Sequence, residues 1–325
     1  QNPWTYIEQL RQYAQDYPGP IADSLYFDSK GHQKHCVLTA IVHGNETGSL
    51  PGICRLVQAL INSEVSFQGR LSIVLGNVQA CKKGVRFIES DLNRAFSDSV
   101  PNTLEGRRAE QMKCILRSAD FHLDFHQTIL ASNKPFWIFP YHKSGFEWAT
   151  YLNVANDLVT RSPHRAFSKD GRCSDEFVRA QGKPAITLEM GQAGITAQAE
   201  EWTYQASVRA LAGMDKIAST GETSPNVAID SPQLNCHEIT FQQPFDTPEM
   251  RLRDGLVNFM QVEQGEILGS QNATTALTSP YSGHLLFPIY PKRDSQGAAI
   301  GVQPRELYCL IQQLEEHPEH KYAQV

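Results

Sequence analysis

The chain has 325 residues, of which 41% are apolar and 20% are charged, and its formal net charge is −6. This composition is typical of a globular protein, and the acidic balance argues against a nucleic-acid-binding surface. There is no run of about 18 apolar residues that could cross a membrane, and the first residues lack the apolar core of a signal peptide. Seven cysteines without a C-x-x-C pair indicate reduced thiols, so we expect a cytoplasmic protein.

Short apolar runs alternate with helical patterns through residues 1–222. The apolar runs predict strands at 35–42, 71–77, 120–126, 136–140 and 184–190. Apolar residues at helical spacing predict helices within 1–19 and at 49–61, 103–119, 145–160 and 197–218. The alternation predicts an α/β sheet covered by helices on both faces.

The pattern changes after the turn-rich stretch 219–226, which we interpret as a linker. Short segments separated by Gly, Pro, Asp and Asn then predict a small all-β module, followed by a last helix at 304–317. We therefore expect an α/β domain at 1–222 and a β domain at 223–325. The stretch 262–288 resembles a lipoyl- or biotinyl-type barrel-sandwich, but it contains no lysine to carry such a group.

The sequence IVHGNETG at 41–48 places His43 and Glu46 where a predicted strand ends. Gly44 would let the chain turn sharply there, and ligands of open α/β sheets gather at this edge. His126, in LDFHQT, ends another predicted strand and supplies a third candidate ligand. Two histidines and one carboxylate leave a position free for water, as in catalytic zinc sites. The alternatives are a surface His/Glu pair and a hydrogen-bonded core histidine.

Two acidic residues fit around such a metal. Asp124 lies two positions before His126, on the same face of the strand, where it can accept the spare ring N–H of the histidine. Glu189 ends the strand predicted at 184–190 and is a candidate base for activating water. The alternative for Glu189 is a solvent-facing residue at a strand end.

The loop GVRFIESDLNRAF at 84–96 contains Arg86, Asn93 and Arg94. Arginine suits carboxylate recognition because its planar guanidinium donates two parallel hydrogen bonds, and Asn93 adds a neutral donor. One of the arginines could instead stabilise the oxyanion of a tetrahedral intermediate. The alternative is a solvated charged loop.

Together these motifs resemble the succinylglutamate desuccinylase/aspartoacylase family, a branch of the zinc carboxypeptidase-like fold. The matching segments are HGNETG, the Gly-Asn at 76–77, VRFIESDLNRAF, DFHQT and TLEMG, which occur in the order of the family. The resemblance implies a mixed sheet flanked by helices and a small C-terminal barrel-sandwich-like β domain that forms a lid or rim over the cleft.

The resemblance also implies roles for the metal-site and catalytic residues. His43, Glu46 and His126 match the ligands of a single zinc ion. Glu189 matches the glutamate that activates water at the metal. Arg86 matches the arginine that polarises the scissile carbonyl.

Substrate binding is implied for three further residues. Asn93 and Arg94 match the pair that holds the substrate carboxylate, and Arg179 lies near the position of another substrate-binding arginine. The sequence departs from the named enzymes at Gln127 and Leu130. The family chemistry is therefore better supported than any one acyl group.

We expect a zinc-dependent hydrolase that cleaves the amide bond of a small N-acyl amino acid with carboxylates, such as N-succinylglutamate or an N-acetylated acidic amino acid. The alternative is a zinc metallocarboxypeptidase that acts on a short or cell-wall peptide. A third hypothesis is a metal-binding or scaffolding protein without catalysis. The sequence leaves open whether the chain forms a homo-oligomer.

Overall fold

A computed structural model describes residues 2–132, 134–163, 165–226, 233–301 and 303–322. The α-helices in these ranges are α1 (Pro3–Asp16), α2 (Ser49–Ile61), α3 (Val78–Lys83), α4 (Leu104–Leu116), α5 (Lys143–Leu152), α6 (Ser174–Arg179), α7 (Ala197–Thr220) and α8 (Pro318–Tyr322), and a short 3-10 helix spans Leu92–Arg94. None of the helices in the described ranges combines the length and the apolar character that a membrane span needs.

The strands fall into one large and one small sheet. They are β1 (Ser24–Asp28), β2 (His35–Ala40), β3 (Arg70–Leu75), β4 (Phe121–Thr128), β5 (Phe136–Ile138), β6 (Asp157–Thr160), β7 (Ala185–Gln192), β8 (Asn235–Pro244), β9 (Arg251–Leu252), β10 (Gln261–Val262), β11 (Ile267–Ser270), β12 (Ala276–Thr278), β13 (Gly283–Leu286) and β14 (Glu306–Gln313). The 11-stranded sheet has the order β1-β3-β2-β4-β7-β5-β6-β8-β14-β13-β10, and β12-β11-β9 form the second sheet. The α/β class with a mixed sheet and a C-terminal antiparallel β region is confirmed.

The order of the central strands creates a crevice at their carboxyl ends. β3, β2, β4 and β7 are parallel neighbours. The chain leaves β2 towards β3 on one side, whereas β4 leads towards strands on the other side. Connections that diverge in this way leave the space above β2 and β4 uncovered, which is where open α/β sheets bind ligands.

Both faces of the central sheet are buried. In β2, Cys36 and Leu38 pack in a core with α1, α2 and α7, whereas Val37 packs in a second core with α4 and α6. β4 differs, because Leu123 and Phe125 enter the first core but His122, Asp124 and His126 occupy its other face. Buried polar side chains are uncommon on an otherwise apolar sheet, so this face of β4 is a candidate functional site.

Two predicted helices are corrected by the structure. The helix predicted at 145–160 ends at Leu152, because Asn153 adopts a left-handed conformation (φ 46°), and β6 follows it. The helix predicted at 304–317 is wrong, since β14 occupies most of it and pairs with β8 and β13. Its apolar residues Leu307, Leu310, Ile311 and Leu314 have helical spacing, but burial between two neighbouring strands decides the conformation.

The C-terminal strands continue the main sheet rather than standing apart from it. β8 pairs in parallel with β6, and β14, β13 and β10 extend the sheet beyond β8. The small sheet covers a separate apolar core that includes Leu252, Leu268 and Leu277. The division into domains at 1–222 and 223–325 stays a prediction.

His35, the first residue of β2, predicts a pH dependence of stability. It is 4% exposed and its ring nitrogens lie 3.0 Å and 2.9 Å from the hydroxyls of Ser118 and Ser72. Burial and the nearby Arg70 lower the pKa of His35 from 6.5 to about 4. The unfolded chain therefore binds the extra proton between these values, and folded-state stability is lost as the pH falls through this window.

We expect His35 to account for a loss of about 2 kcal/mol in the free energy of unfolding between pH 7 and pH 5. Urea unfolding of the wild type and of His35→Asn at both pH values measures this contribution, because the substitution removes the titrating group. An equal loss in both proteins would contradict the prediction.

Candidate active site

The turn after β2 carries the first two candidate metal ligands. β2 ends at Ala40, and Ile41 then adopts a left-handed conformation (φ 49°) that is unusual for a β-branched residue. The chain turns at Gly44, as predicted, and Glu46 N donates to His43 O (3.0 Å) across this turn. Glycine is needed there for a second reason, because a Cβ would lie 2.3 Å from the backbone nitrogen of Cys81 in α3. This close approach of two backbone segments fixes where His43 and Glu46 lie.

His43, Glu46 and His126, here called the triad, converge on one point. The Nδ1 atoms of the two histidines are 3.2 Å apart. Glu46 Oε1 lies 2.8 Å from His43 Nδ1, and Glu46 Oε2 lies 2.9 Å from His126 Nδ1. All three residues are buried. The three ligands predicted from the sequence are thus brought together from the ends of β2 and β4.

The far side of each triad histidine is held by a carboxylate. Asp124 Oδ2 lies 2.9 Å from His126 Nε2, as predicted, and Asp91 Oδ1 lies 3.1 Å from His43 Nε2. Asp124 also accepts hydrogen bonds from the hydroxyls of Thr39 (2.6 Å) and Ser174 (2.5 Å). A carboxylate on Nε2 orients the ring and leaves the lone pair of Nδ1 for a metal.

The protonation of the triad reflects its crowding. Burial opposes ionisation of Glu46, but His43 and His126 outweigh it, so the pKa of Glu46 lies well below its usual range. Burial also disfavours a charged His126, yet Asp124 and Glu46 raise the pKa of His126 well above its usual value. The buried carboxylates around the triad therefore favour a positive charge at the point where the Nδ1 atoms of His43 and His126 approach each other.

This donor set fits a divalent metal ion. The ligand atoms of the triad all lie within 4.8 Å of one another, and their second nitrogens are already engaged. Two imidazoles and one carboxylate are typical of a zinc site that keeps a position open for catalysis. The residues present could hold such an ion.

Glu189 lies next to the triad on the neighbouring strand. It is the direct partner of His126 in the β4–β7 pairing, and its Oε2 is buried without a hydrogen-bond partner in the described part of the chain. Burial and then repulsion by Glu46 raise the pKa of Glu189 to about 8. A nearby metal cation would lower the pKa of this carboxyl group again.

The three candidate residues of the 84–96 loop differ in their position relative to the triad. Arg86 Nη1 donates to Glu46 Oε1 (3.0 Å), and Asn93 Nδ2 lies 3.4 Å from His126 Nε2. Both therefore contact the triad. Arg94 lies behind them, where Nη1 donates to Asn93 O (2.6 Å) and its guanidinium stacks 5.2 Å from the ring centre of Phe167.

Arg179 is not brought to the triad. Its Nη1 donates to Asp175 Oδ2 (2.6 Å) and to Ala185 O (3.0 Å), at the start of β7 rather than at the end that carries Glu189. It lines a separate cavity of about 670 Å³, together with His142 and Lys183. A substrate-binding role for Arg179 stays a prediction, and these contacts do not support it.

Gln127 has a structural role that was not predicted from the sequence. Its Nε2 donates to Gln192 O (2.8 Å) and Gly194 O (2.9 Å), and its Oε1 accepts from Gly48 N (2.7 Å). Its backbone N–H donates to Glu46 Oε2 (3.0 Å). Gln127 thus joins the start of α2 to the loop after β7 and helps to place Glu46.

Asp91 was missed in the sequence, although it lies in the quoted loop. Its contact with His43 spans 48 positions of the chain, so no local spacing indicates it. The signal that could have found it is the Asp-x-Asn-Arg order. Asp91 also accepts from the backbone N–H of Asn93 (2.8 Å), so this contact holds Asn93 close to the residue that faces His43.

The C-terminal β region meets the catalytic part at the loop after β4. Asn258 is 1% exposed, and its Nδ2 donates to Leu130 O and Ala131 O, both at 3.1 Å. His284 packs beside His237, with ring centres 6.0 Å apart, rather than on the triad. The region therefore contacts the loop that follows β4.

Comparison with known proteins gives a consistent result. The sequence model of a family described as succinylglutamate desuccinylase/aspartoacylase catalytic domain matches residues 32–217. The succinylglutamate desuccinylase of Serratia proteamaculans is 28% identical over 286 residues, which make up 84% of this chain and 84% of that protein. That of Burkholderia lata is 27% identical over 270 residues, or 78% of this chain and 74% of that protein.

Solved structures agree on the fold. A succinylglutamate desuccinylase from Vibrio parahaemolyticus aligns with a TM-score of 0.66 at 17% identity, over 90% of this chain and 86% of that one. Murine aminoacylase 3 aligns with a TM-score of 0.62 at 17% identity, over 86% of this chain and 95% of that one. At such identities the likeness shows the fold alone.

The triad geometry predicts metal retention. We expect the dialysed protein to keep close to one zinc ion per chain, and His126→Gln to lose it, because one of three protein ligands is removed. Asp124→Asn should weaken metal affinity by about 10–100-fold, since the histidine loses its orienting carboxylate. Elemental analysis and competition with a chelator measure both effects.

His35→Asn is the matched control for this experiment, because it replaces a buried histidine of β2 that lies outside the triad. It should retain zinc like the wild type. Full metal retention by folded His126→Gln would refute the assignment of the site.

Proposed function

The chain belongs to the succinylglutamate desuccinylase/aspartoacylase family, and on that premise we propose that it is a zinc-dependent hydrolase of a small N-acyl amino acid. The observation that carries the proposal is that the triad lies beside Glu189, whose buried Oε2 has no hydrogen-bond partner in the described part of the chain. When bound by the triad, zinc supplies Lewis-acid polarisation of an amide carbonyl and lowers the pKa of water.

Glu189 is the proposed proton carrier. It is buried beside the triad on the adjacent strand, with one oxygen free of hydrogen bonds in the described structure. In its ionised form it takes a proton from the attacking water and then passes it to the departing amine nitrogen. Its burial keeps bulk water from competing for this proton.

The loop residues orient the substrate in this proposal. Arg94 receives the α-carboxylate, and Asn93 adds a donor at the triad side of the same loop. Arg86, with its side chain 32% exposed beside Glu46, faces the carbonyl oxygen as negative charge develops on it. The C-terminal region limits substrate length as a rim of the cleft, a role supported by the contacts of Asn258 with the loop after β4.

The metallocarboxypeptidase alternative is not favoured. The relatives of this chain that match most of its length are named for removal of an acyl group from an amino acid. A protein without catalysis is also not favoured, because each residue proposed for metal binding and proton transfer is present and correctly grouped. A cytoplasmic location is supported by the seven cysteines, all of which are free thiols.

The role of Glu189 can be tested by Glu189→Gln, which keeps the shape of the side chain but cannot carry the proton. We expect kcat for a cleaved N-acyl amino acid to fall by about 10²–10⁴-fold while zinc content is unchanged. The metal-free variant should also be more stable than the wild type at neutral pH, because the buried acid with a raised pKa is removed. Steady-state kinetics, elemental analysis and thermal unfolding measure these effects.

Glu222→Gln is the control, since Glu222 is exposed just after α7. It should retain wild-type turnover and stability. Turnover by Glu189→Gln at the wild-type rate would remove the assigned base, and failure of the zinc-loaded wild type to cleave any N-acyl amino acid would refute the proposed function.

A further inference from the structure

We propose that the substrate carries a single carboxylate and an apolar acyl group or side chain that packs against an aromatic wall beside Glu189. The wall consists of Phe136, Phe167, Phe259 and Phe287. This inference rests on the proposed hydrolase function and names the substrate class of that site. It departs from the strongly acidic substrates that the names of the relatives suggest.

The wall begins directly at the proposed base. Phe136 in β5 is the cross-strand partner of Glu189 in β7, so both side chains lie on the same face of the sheet. Phe259 and Phe287 pack against Phe136, with ring centres 5.1 Å and 6.1 Å away. Phe167 continues the wall, 6.3 Å from Phe287.

The other end of the wall meets the proposed carboxylate-binding residue. The guanidinium of Arg94 lies 5.2 Å from the ring centre of Phe167. Phe136 is fully buried, but Phe167, Phe259 and Phe287 each keep part of their side chains exposed. An apolar surface thus extends from Arg94 to Glu189, between the points where the carboxylate and the scissile amide are proposed to lie.

The backbone is strained at two of the four phenylalanines. Phe259 (φ 60°) and Phe287 (φ 50°) both adopt the left-handed conformation that bulky residues avoid. Asn258 holds Phe287 in place, because its Oδ1 accepts from Phe287 N (2.7 Å). Phe259 is held by a different contact, since its backbone N–H donates to Leu285 O (2.8 Å). Backbone strain of this kind is retained where it positions a functional group, which supports a functional role for the rings of Phe259 and Phe287.

The charges around the wall limit how many carboxylates a substrate can carry. Among the described residues, four cationic side chains contact the triad or lie against the wall. Three of them already have a carboxylate partner: Arg86 with Glu46 (3.0 Å), Arg161 with Glu176 (2.8 Å) and Lys134 with Asp157 (2.7 Å). The fourth is Arg94, which has no carboxylate within salt-bridge distance in the described chain, so its charge can pair with a substrate carboxylate.

A substrate with two or three carboxylates would lack partners here. N-succinylglutamate carries three, of which Arg94 can neutralise one. The other two carboxylates would have to lose their hydration and lie against phenylalanine rings. This is unfavourable for an ionised group without a counter-charge. An apolar group in the same place gains from burial against the rings.

The experiment is a comparison of kcat/KM for four substrates with the zinc-loaded full chain. N-acetylphenylalanine and N-benzoylglycine each carry one carboxylate, with the apolar group on the side chain or on the acyl part respectively. N-acetylaspartate carries two carboxylates and N-succinylglutamate three. We expect at least one of the first pair to exceed both acidic substrates by about tenfold or more, the discrimination typical of a fitted apolar pocket.

Phe167→Ala tests the wall itself. It should lower kcat/KM for the preferred apolar substrate by about 3–10-fold, mainly through KM. The loss should be smaller for the acidic substrates, because they share only the contact through Arg94 and do not pack on the ring. Phe146→Ala is the control, because Phe146 is also partly buried but packs against His317 and Tyr141. If Phe167→Ala folds poorly, Phe167→Leu keeps the bulk and should lose only the contribution of the ring.

The outcomes separate the two proposals. Preference for an acidic substrate, or an equal loss on all substrates in folded Phe167→Ala, would overturn this inference and leave the hydrolase function standing. No cleavage of any of the four would overturn the proposed function, and this inference with it.

Discussion

The buried carboxylate of Glu46 is the group on which the rest of the site depends. It is 3% exposed and bonded to His43, His126, Arg86 and the backbone N–H of Gln127. These partners come from the ends of β2 and β4 and from the loop before Asn93, so one charge holds three segments at one point. A buried charge is tolerated only where its partners are complete, and a divalent cation completes them better than a protonated imidazole. Metal binding is therefore expected to be linked to the stability of all three segments.

The carboxylates around the triad are not equivalent, and their environments separate their roles. Asp91 and Asp124 are buried, but attraction to the imidazoles of His43 and His126 respectively keeps the pKa values of these two carboxyl groups below the usual range. Glu189 has no such partner, and burial raises its pKa. Groups of one chemical type whose pKa values are driven apart in this way divide into fixed anions and a proton carrier. The neighbouring phenylalanine Phe136 contributes to that difference, because it removes water from one side of Glu189.

The parts that the sequence predicted are those with a local pattern. α2 was predicted with both its bounds, and His43, Glu46 and His126 follow from their places at the ends of apolar runs. The contact of Asp91 with His43 and the β14 strand depend on partners distant in sequence, so neither spacing nor periodicity reveals them. The turn at Gly44 was predicted from the local sequence. The close approach of α3, which also requires glycine at this position, was not predicted because α3 is distant in sequence.

Backbone strain links the catalytic and C-terminal parts of the chain. Three apolar residues of the described structure, Ile41, Phe259 and Phe287, adopt the left-handed conformation. Each of these left-handed conformations costs on the order of 1–3 kcal/mol of folding free energy, and folding alone does not explain why it is retained. Ile41 precedes the triad turn, and the two phenylalanines flank Asn258, whose side chain holds the loop after β4. All three therefore lie close to the triad or to the aromatic wall. This distribution is expected if the fold loses some stability in positioning the triad and the aromatic wall on opposite sides of Glu189.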